Sequence, residues 1–279
     1  MKPLLKWVGG KTKLIPYITK YMPHEFSNYV ESFTGGGALF FNLPVSKGVI
    51  NDVNPELVNF YRTVRNYPKE LFDQIKDFEL DEESYYKIRS IDRQLGWQDK
   101  LSDIRRASRF LYLNRTSFNG MWRENKSGHM NVPYGFYDSY SWPTLEVLIN
   151  ASNKLKNFEI NNGDFDSTFK YITKDSFVYL DPPYIPYSGT SDFTGYSANG
   201  FSIEDQERLV SFCDKIDALG AKFMVSNSDT ELTRDLYKNY EIVSVSVYHS
   251  VGAKSEARNK RGEVLVRNFN CDNTFLSLL

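Results

Sequence analysis

The chain has 279 residues, 41% hydrophobic and 15% aromatic, enough to bury one large core or one core plus a smaller domain. Its 34 lysines and arginines against 35 acids give a net charge of -1, so bulk charge does not point to a polyanionic partner. The two cysteines, Cys213 and Cys271, have no metal-ligand spacing, which argues against a disulfide framework and a zinc site, and no metal is expected. His24, His129 and His249 are scattered and sit in no nucleophile motif, against hydrolase chemistry. The start, Met1-Lys2-Pro3-Leu4-Leu5-Lys6-Trp7, has no apolar signal core and no later run is long enough to span a bilayer, so a cytoplasmic location without membrane association is expected.

In chain order, Lys2, Lys6, Lys11, Lys13 and Lys20 precede the first acid. A strand is predicted over 29–33, running into Phe33-Thr34-Gly35-Gly36-Gly37-Ala38 and a short helix over 38–43. Consecutive glycines there let the backbone pass close to a cofactor, although a glycine turn alone also serves to reverse a chain. The next strand, 48–51, ends at Asp52, and an acid at that place in nucleoside-binding α/β folds accepts hydrogen bonds from ribose hydroxyls. Helices are predicted over 55–65, 68–77, 82–93, 101–115 and 143–155. The about one hundred residues before the third strand are too many for a compact crossover and read as an inserted subdomain. Between Lys87 and Lys126, ten basic residues face four acids, which suits either a phosphate-facing surface or a solvated helical face.

Strands follow over 158–160, 177–180, 222–226, 242–247 and 263–269, with helices over 202–218 and 230–238. Ser202 and Asp205 resemble a capping box. The polar stretch 188–200 reads as a lid and 251–262 as a second mobile loop. The βα rhythm implies an α/β fold with a largely parallel sheet.

The stretch Asp181-Pro182-Pro183-Tyr184 directly follows the apolar run Phe177 to Leu180 and so stands at the carboxyl end of a strand, where open α/β sheets place ligands. The prolines remove two backbone donors, leaving the Asp181 carboxylate, the Pro182 carbonyl and the Tyr184 ring for one small pocket. Two acceptors and an aromatic plate suit a planar ring with an exocyclic amine. Accepting that amine's hydrogens favours pyramidal nitrogen, which can attack an electrophilic methyl. Glycine turn, second-strand acid and Asp-Pro-Pro-Tyr in this order specify a nucleoside-bearing cofactor opposite an amine acceptor. S-adenosylmethionine is the natural choice, since its sulfonium methyl is electrophilic without a metal.

The chain resembles the Dam-type N6-adenine DNA methyltransferases, the alpha group of the D12 class, from Leu5 to about Phe269. The resemblance is carried by Lys6-Trp7-Val8-Gly9-Gly10-Lys11, Phe33 to Ala38, Asn51-Asp52-Val53-Asn54, Asn114-Arg115-Thr116-Ser117-Phe118-Asn119-Gly120, Asn131-Val132-Pro133-Tyr134-Gly135, Gly163-Asp164-Phe165 and Asp181 to Tyr184. It implies a Rossmann-like catalytic domain from 1–55 and 146–279 and a mostly helical target-recognition domain over 56–145, carrying a β-hairpin at about 117–134. It implies cofactor contacts from Trp7, Lys11, Phe33, Gly35, Asp52, Asp164, Phe165 and Asp181, with Asp181, Pro182 and Tyr184 catalytic.

The substrate so implied is double-stranded DNA carrying GATC, with the adenine flipped out of the stack and S-adenosylhomocysteine as product. Phe118 and Asn119 offer an aromatic wedge on a tight turn, Arg123 and Lys6 are placed like the guanine readers, and Met121 and Pro133 like contacts to a thymine methyl. Arg115 joins them on the DNA side. Phe118 stands where many relatives have tyrosine, and Met121 where leucine is common. Taken singly, Phe118 also fits a core aromatic and Arg123 a phosphate contact or a surface ion pair. A monomer is expected, from a bacterium, an archaeon or a phage, and a cognate restriction endonuclease is a partner the resemblance leaves open. The rivals are a methyltransferase acting on RNA adenine or a protein amide, a nicotinamide oxidoreductase, and a DNA-binding protein without chemistry.

Overall fold

The computed structural model describes residues 3–186, 201–246 and 262–270. The proposed lid at 188–200 and most of the loop at 251–262, with His249 and Cys271, lie outside them. Among the described residues, seven strands form one mixed sheet: β1 (Asn28–Glu31), β2 (Gly48–Asp52), β3 (Phe158–Asn162), β4 (Ser176–Leu180), β5 (Lys222–Ser228), β6 (Glu241–Ser246) and β7 (Gly262–Arg267), in the order β3-β2-β1-β4-β5-β7-β6. Every predicted strand is present, shifted by a few residues at its ends. The pairs β1/β4 and β4/β5 are parallel, whereas β7 runs antiparallel to both β5 and β6. Strand order reverses between β1 and β4, and this switch point is where open α/β sheets leave a crevice beyond the strand ends. All five residues of β4 are buried, as expected for a central parallel strand covered on both faces.

The chain divides into two compact units. One comprises residues 1–12, 34–46 and 50–163, the other 13–33, 47–49 and 164–279. The stretch 56–145 therefore lies wholly within the first unit. That unit is built from α2 (Pro55–Asn66), α3 (Pro68–Ile75), α4 (Glu82–Arg89), α5 (Trp97–Lys100), α6 (Asp103–Thr116) and α7 (Leu145–Leu155), with α2 packed on α6 and α7. Asn54 starts α2 by accepting the N–H groups of Glu56 and Leu57, a cap worth about 1 kcal/mol. A second apolar cluster, Tyr85, Tyr112, Leu113, Met130, Val132 and Tyr134, ties α4 and α6 to the segment that follows α6.

The second unit holds α1 (Ile15–Tyr21), α8 (Ile203–Ala218) and α9 (Glu231–Leu236), and Ser202 and Asp205 form the expected capping box on α8. Helix α1 was not legible in the sequence: its N-cap is Leu14, which contributes no side-chain hydrogen bond.

The predicted helix over 38–43 is absent. Phe41 N–H bonds the Gly37 carbonyl and Leu43 N–H the Leu39 carbonyl, isolated turns that do not continue. With Ala38 through Phe41 all buried, this stretch has no polar face to give helical periodicity. The expected hairpin at 117–134 is closed by two isolated antiparallel bridges, Ser117 with Tyr134 and Glu124 with Met130, and forms no continuous ladder. A 3-10 turn over Phe118–Gly120 interrupts it, with Asn119 at φ 55°, a conformation asparagine tolerates better than most residues.

Candidate functional site

In the second unit, β1 and β4 are paired with Glu31 opposite Tyr179, so Phe33 and Asp181 each follow two residues beyond that pair at the switch point. Asp181 Oδ1 accepts a hydrogen bond from Ser226 Oγ at 2.8 Å, and Ser226 Oγ lies 2.9 Å from the Tyr179 hydroxyl. The loop after Asp181 is pinned from two elements. Gln206 Nε2 on α8 donates to the Pro183 carbonyl at 2.9 Å, Asn227 Oδ1 on β5 accepts the Ile185 N–H at 3.0 Å, and Ser228 Oγ bonds the Ile185 carbonyl. The Pro182 carbonyl accepts no hydrogen bond among the described residues, which leaves it for a ligand donor. Tyr184 is mostly buried, and its hydroxyl donates to Glu263 Oε2 on β7 at 2.7 Å. Burial first, then the nearby Asp181 carboxylate, hold the Tyr184 phenol well above its usual range, so it stays a neutral donor.

Phe33 stacks on Phe165 with centroids 5.5 Å apart, and Phe201 meets both rings. Asp164 caps the 3-10 turn Phe165–Tyr171 and accepts a hydrogen bond from Arg208 at 2.9 Å, while that guanidinium lies 4.9 Å from the Phe165 ring centroid. This apolar patch with an adjacent carboxylate suits a flat heterocycle carrying an amino group.

In the first unit the glycine turn is held by Asp52, whose Oδ2 accepts the Gly35 N–H at 2.9 Å and whose Oδ1 accepts the Asn54 N–H at 2.9 Å. Tyr61 donates to the Gly35 carbonyl at 2.8 Å. The reason for glycine here is closer to home than the sequence suggested. A Cβ on Gly35 would lie 2.8 Å from Trp7 Cδ1, and one on Gly36 2.7 Å from Trp7 Cβ, so the turn is glycine to admit the tryptophan. Lys11 is buried, with Nζ 2.8 Å from the Gly9 carbonyl. Burial pushes the Asp52 carboxyl up, against the lowering effect of the backbone N–H groups it accepts.

Residues 7–251 match the family model of the D12 class N6 adenine-specific DNA methyltransferases. The chain belongs to this family. It is 41% identical to the type II methyltransferase M1.LlaDCHI of Lactococcus lactis subsp. cremoris, the alignment covering 96% of each chain. It is 37% identical to the type II methyltransferase M.MjaIII of Methanocaldococcus jannaschii over 96% of this chain and 99% of that one. It is 34% identical to the DNA adenine methylase of Vibrio cholerae serotype O1 over 95% of each.

The residues of this methyltransferase expected to read DNA lie in its first unit, where Asn114, fully buried, ties two of the segments involved to α6. Its Oδ1 accepts the Lys6 N–H at 2.9 Å, and its Nδ2 donates to the carbonyls of Lys6 at 2.6 Å and Gly120 at 3.0 Å. Gly120 has φ +63°, and a Cβ there would stand 2.4 Å from Lys6 Cδ, so glycine is required both for the turn and for the passage of the lysine. Lys6 Nζ lies 4.4 Å from the Tyr137 ring centroid, and its pKa is lowered by partial burial and by the charge of Arg115. Phe118 is 48% exposed, with its N–H bonded to the carbonyl of exposed Pro133 at 2.9 Å. Met121 packs on the aromatic cluster beneath. Arg123 is exposed, and its Nε donates to Asn131 Oδ1 at 2.7 Å. Arg115 turns inward, donating to the Leu4 carbonyl with its Nε buried and unpartnered among the described residues.

Much of the basic cluster is structural. Arg89 and Arg93 bond the Val132 and Met130 carbonyls, Arg106 pairs with Glu56, and buried Arg109 pairs with Asp92 at 3.0 Å. Lys87, Arg93, Lys100, Arg105, Arg123 and Lys126 stay exposed, so the surface available to phosphates is smaller than the sequence count implied. Sequence reading missed Ser226, Asn227 and Glu263, and gave Asn114, which opens one of the matching motifs, no role of its own. A polar Ser226-Asn227-Ser228 directly after apolar Phe223-Met224-Val225 was the available signal for the first two. We expect Asn114→Ala to destabilise the fold by about 2–4 kcal/mol in urea titration, from three lost hydrogen bonds, one buried and two part-buried; an unchanged midpoint would show that the Lys6 and Gly120 segments are held by other contacts.

Proposed function

We propose that the protein transfers the methyl group of S-adenosylmethionine to N6 of adenine in duplex DNA, within GATC, after extruding the base. The observation that carries this reading is the loop at the end of β4, where Ser226 orients Asp181, the Pro182 carbonyl has no partner among the described residues, and Tyr184 is fixed at its hydroxyl. Cofactor contacts are assigned to Trp7, Lys11, Gly35 and Asp52 in the first unit and to Phe33, Asp164, Phe165 and Asp181 in the second. The residues fit such a group: Asp52 is a carboxylate for ribose hydroxyls, and the Phe33–Phe165 patch beside Asp164 suits adenine. When bound, the cofactor supplies an electrophilic methyl.

Asp181 and the Pro182 carbonyl accept the two N6 hydrogens of the target adenine and draw its nitrogen toward a pyramidal, nucleophilic form, while Tyr184 stacks on the ring. This is positioning and electrostatic stabilisation, without a covalent bond to the protein. Residues 56–145 serve as the target-recognition segment, with Arg123 and Lys6 on guanines, Met121 and Pro133 on thymine, Phe118 and Asn119 filling the space left by the base, and Arg115 holding the Lys6 segment in place. The Arg123–Asn131 bond fixes one edge of the guanidinium, which favours bidentate recognition of guanine O6 and N7. Membership in a DNA-adenine family weighs against the RNA and protein-amide readings.

The test is transfer of labelled methyl to a duplex with one GATC, beside duplexes altered at each position and a single strand. Incorporation confined to GATC is expected. Arg123→Ala should lose discrimination at one guanine, with a cost of about 1–3 kcal/mol in kcat/KM. Incorporation only at another sequence would refute the readout while keeping the chemistry, and an unchanged preference in Arg123→Ala would remove that residue from it.

A further inference from the structure

Glu263 is an acid that neither the methyl-transfer reading nor the cofactor assignment uses. It lies on β7 opposite Ser228 of β5, is 5% exposed, and its Oε2 receives the Tyr184 hydroxyl at 2.7 Å. A buried carboxylate is costly unless its hydrogen bonds are met, and this one meets the far tip of a ring assigned to the substrate. The backbone on either side of that ring is independently fixed, at the Pro183 carbonyl by Gln206 and at the Ile185 N–H by Asn227. With both flanks held, the remaining freedom of Tyr184 is rotation of its side chain, and the bond of its hydroxyl to Glu263, beside a contact with Ser226, restrains it.

We propose that Glu263 is a positioning residue that locks the Tyr184 ring in the plane where the extruded adenine stacks. This rests on the reading of Asp181 to Tyr184 as the adenine pocket. Stacking alone needs only an aromatic face, which phenylalanine would supply. The use of tyrosine is explained by the anchor: a ring preset before the base arrives loses less entropy when it does, and the N6 nitrogen is delivered in line with the methyl more often.

The experiment measures kcat and the KM for S-adenosylmethionine in Glu263→Ala, Glu263→Gln, Tyr184→Phe, the Tyr184→Phe/Glu263→Ala double variant and Asp181→Ala. It also reads fluorescence of a duplex with 2-aminopurine at the target position, bright when extruded and quenched when stacked. Glu263→Ala and Tyr184→Phe should each lower kcat roughly tenfold with cofactor KM within about twofold, and should brighten the flipped probe. Glu263→Gln, whose Oε1 still accepts the phenol hydrogen, should keep at least about half of kcat. The double variant should be no slower than either single one. Additive losses, a Glu263→Gln variant as slow as Glu263→Ala, or wild-type kcat in Tyr184→Phe would each overturn the proposal. If Glu263→Ala fails to fold, Tyr184→Phe and Glu263→Gln decide alone, the first required to lose and the second to retain. Asp181→Ala separates the two levels: turnover there would sink the pocket reading itself, whereas its loss beside unaffected Glu263 and Tyr184 variants would sink only the anchor.

Discussion

Asp181→Ala is expected to abolish methyl transfer, by about 10²–10³-fold or more in a single-turnover assay, while the protein folds and binds duplex within a few-fold of wild type. The size follows from what the side chain is placed to do. It stands one residue past β4 with Oδ1 tied to Ser226 Oγ at 2.8 Å, so its orientation is set before substrate arrives. Alanine removes one of the two acceptors that would hold the N6 hydrogens and leaves the Pro182 carbonyl to work alone, with the amine lone pair still delocalised into the ring. Folding should change little, because the neighbouring bonds at Pro183 and Ile185 do not involve the Asp181 side chain. Near-normal turnover in the variant would move the chemistry away from this loop, and a loss accompanied by failed duplex binding would mean that the change acts through structure.

Where the sequence was legible, the cause was local. Strands β2, β4, β5 and β7 show in the sequence as short apolar runs closed within a few residues by asparagine or aspartate, and the buried run Phe177 to Leu180 of β4 leads straight into Asp181. The glycine turn was visible for the same kind of reason, but its partner was not. Nothing in Gly35-Gly36 says that an indole from Trp7 fills the space beside them, since that contact joins residues far apart in the chain.

The same limit hid the supports of the loop from Asp181 to Tyr184. Ser226, Asn227 and Glu263 reach it from β5 and β7, strands that come later in sequence and only the sheet order brings alongside. The basic residues of 87–126 read as one cluster although about half are turned to carbonyls and carboxylates inside the unit, because charge counting cannot tell a guanidinium that caps a backbone from one that faces solvent. Sequence therefore yields the groups that would touch substrate, which cluster in short motifs, more readily than the groups that hold them.

Asp52→Ala is expected to weaken S-adenosylmethionine about 10²-fold, roughly 3 kcal/mol by isothermal calorimetry. Two losses combine. The carboxylate joins the glycine turn to β2 through the Gly35 N–H and to the start of α2 through the Asn54 N–H, so alanine leaves both donors unpaired as well as removing the acceptor proposed for the ribose. Asn should be no rescue, because its amide nitrogen would face a backbone N–H that needs an acceptor. The pH dependence gives a second reading of the same group. Burial raises the Asp52 carboxyl above its ordinary 3.8, and the form that accepts from ribose and from both backbone donors is the ionised one. Affinity should thus be full well above the raised pKa and fall as pH drops through it, at a higher pH than an ordinary aspartate would show, while Asp52→Asn should be flat over that range. A wild-type midpoint at or below the ordinary value, or an Asp52→Ala variant that binds the cofactor as tightly as wild type, would take the ribose role away from Asp52 and leave it as the strut of the glycine turn.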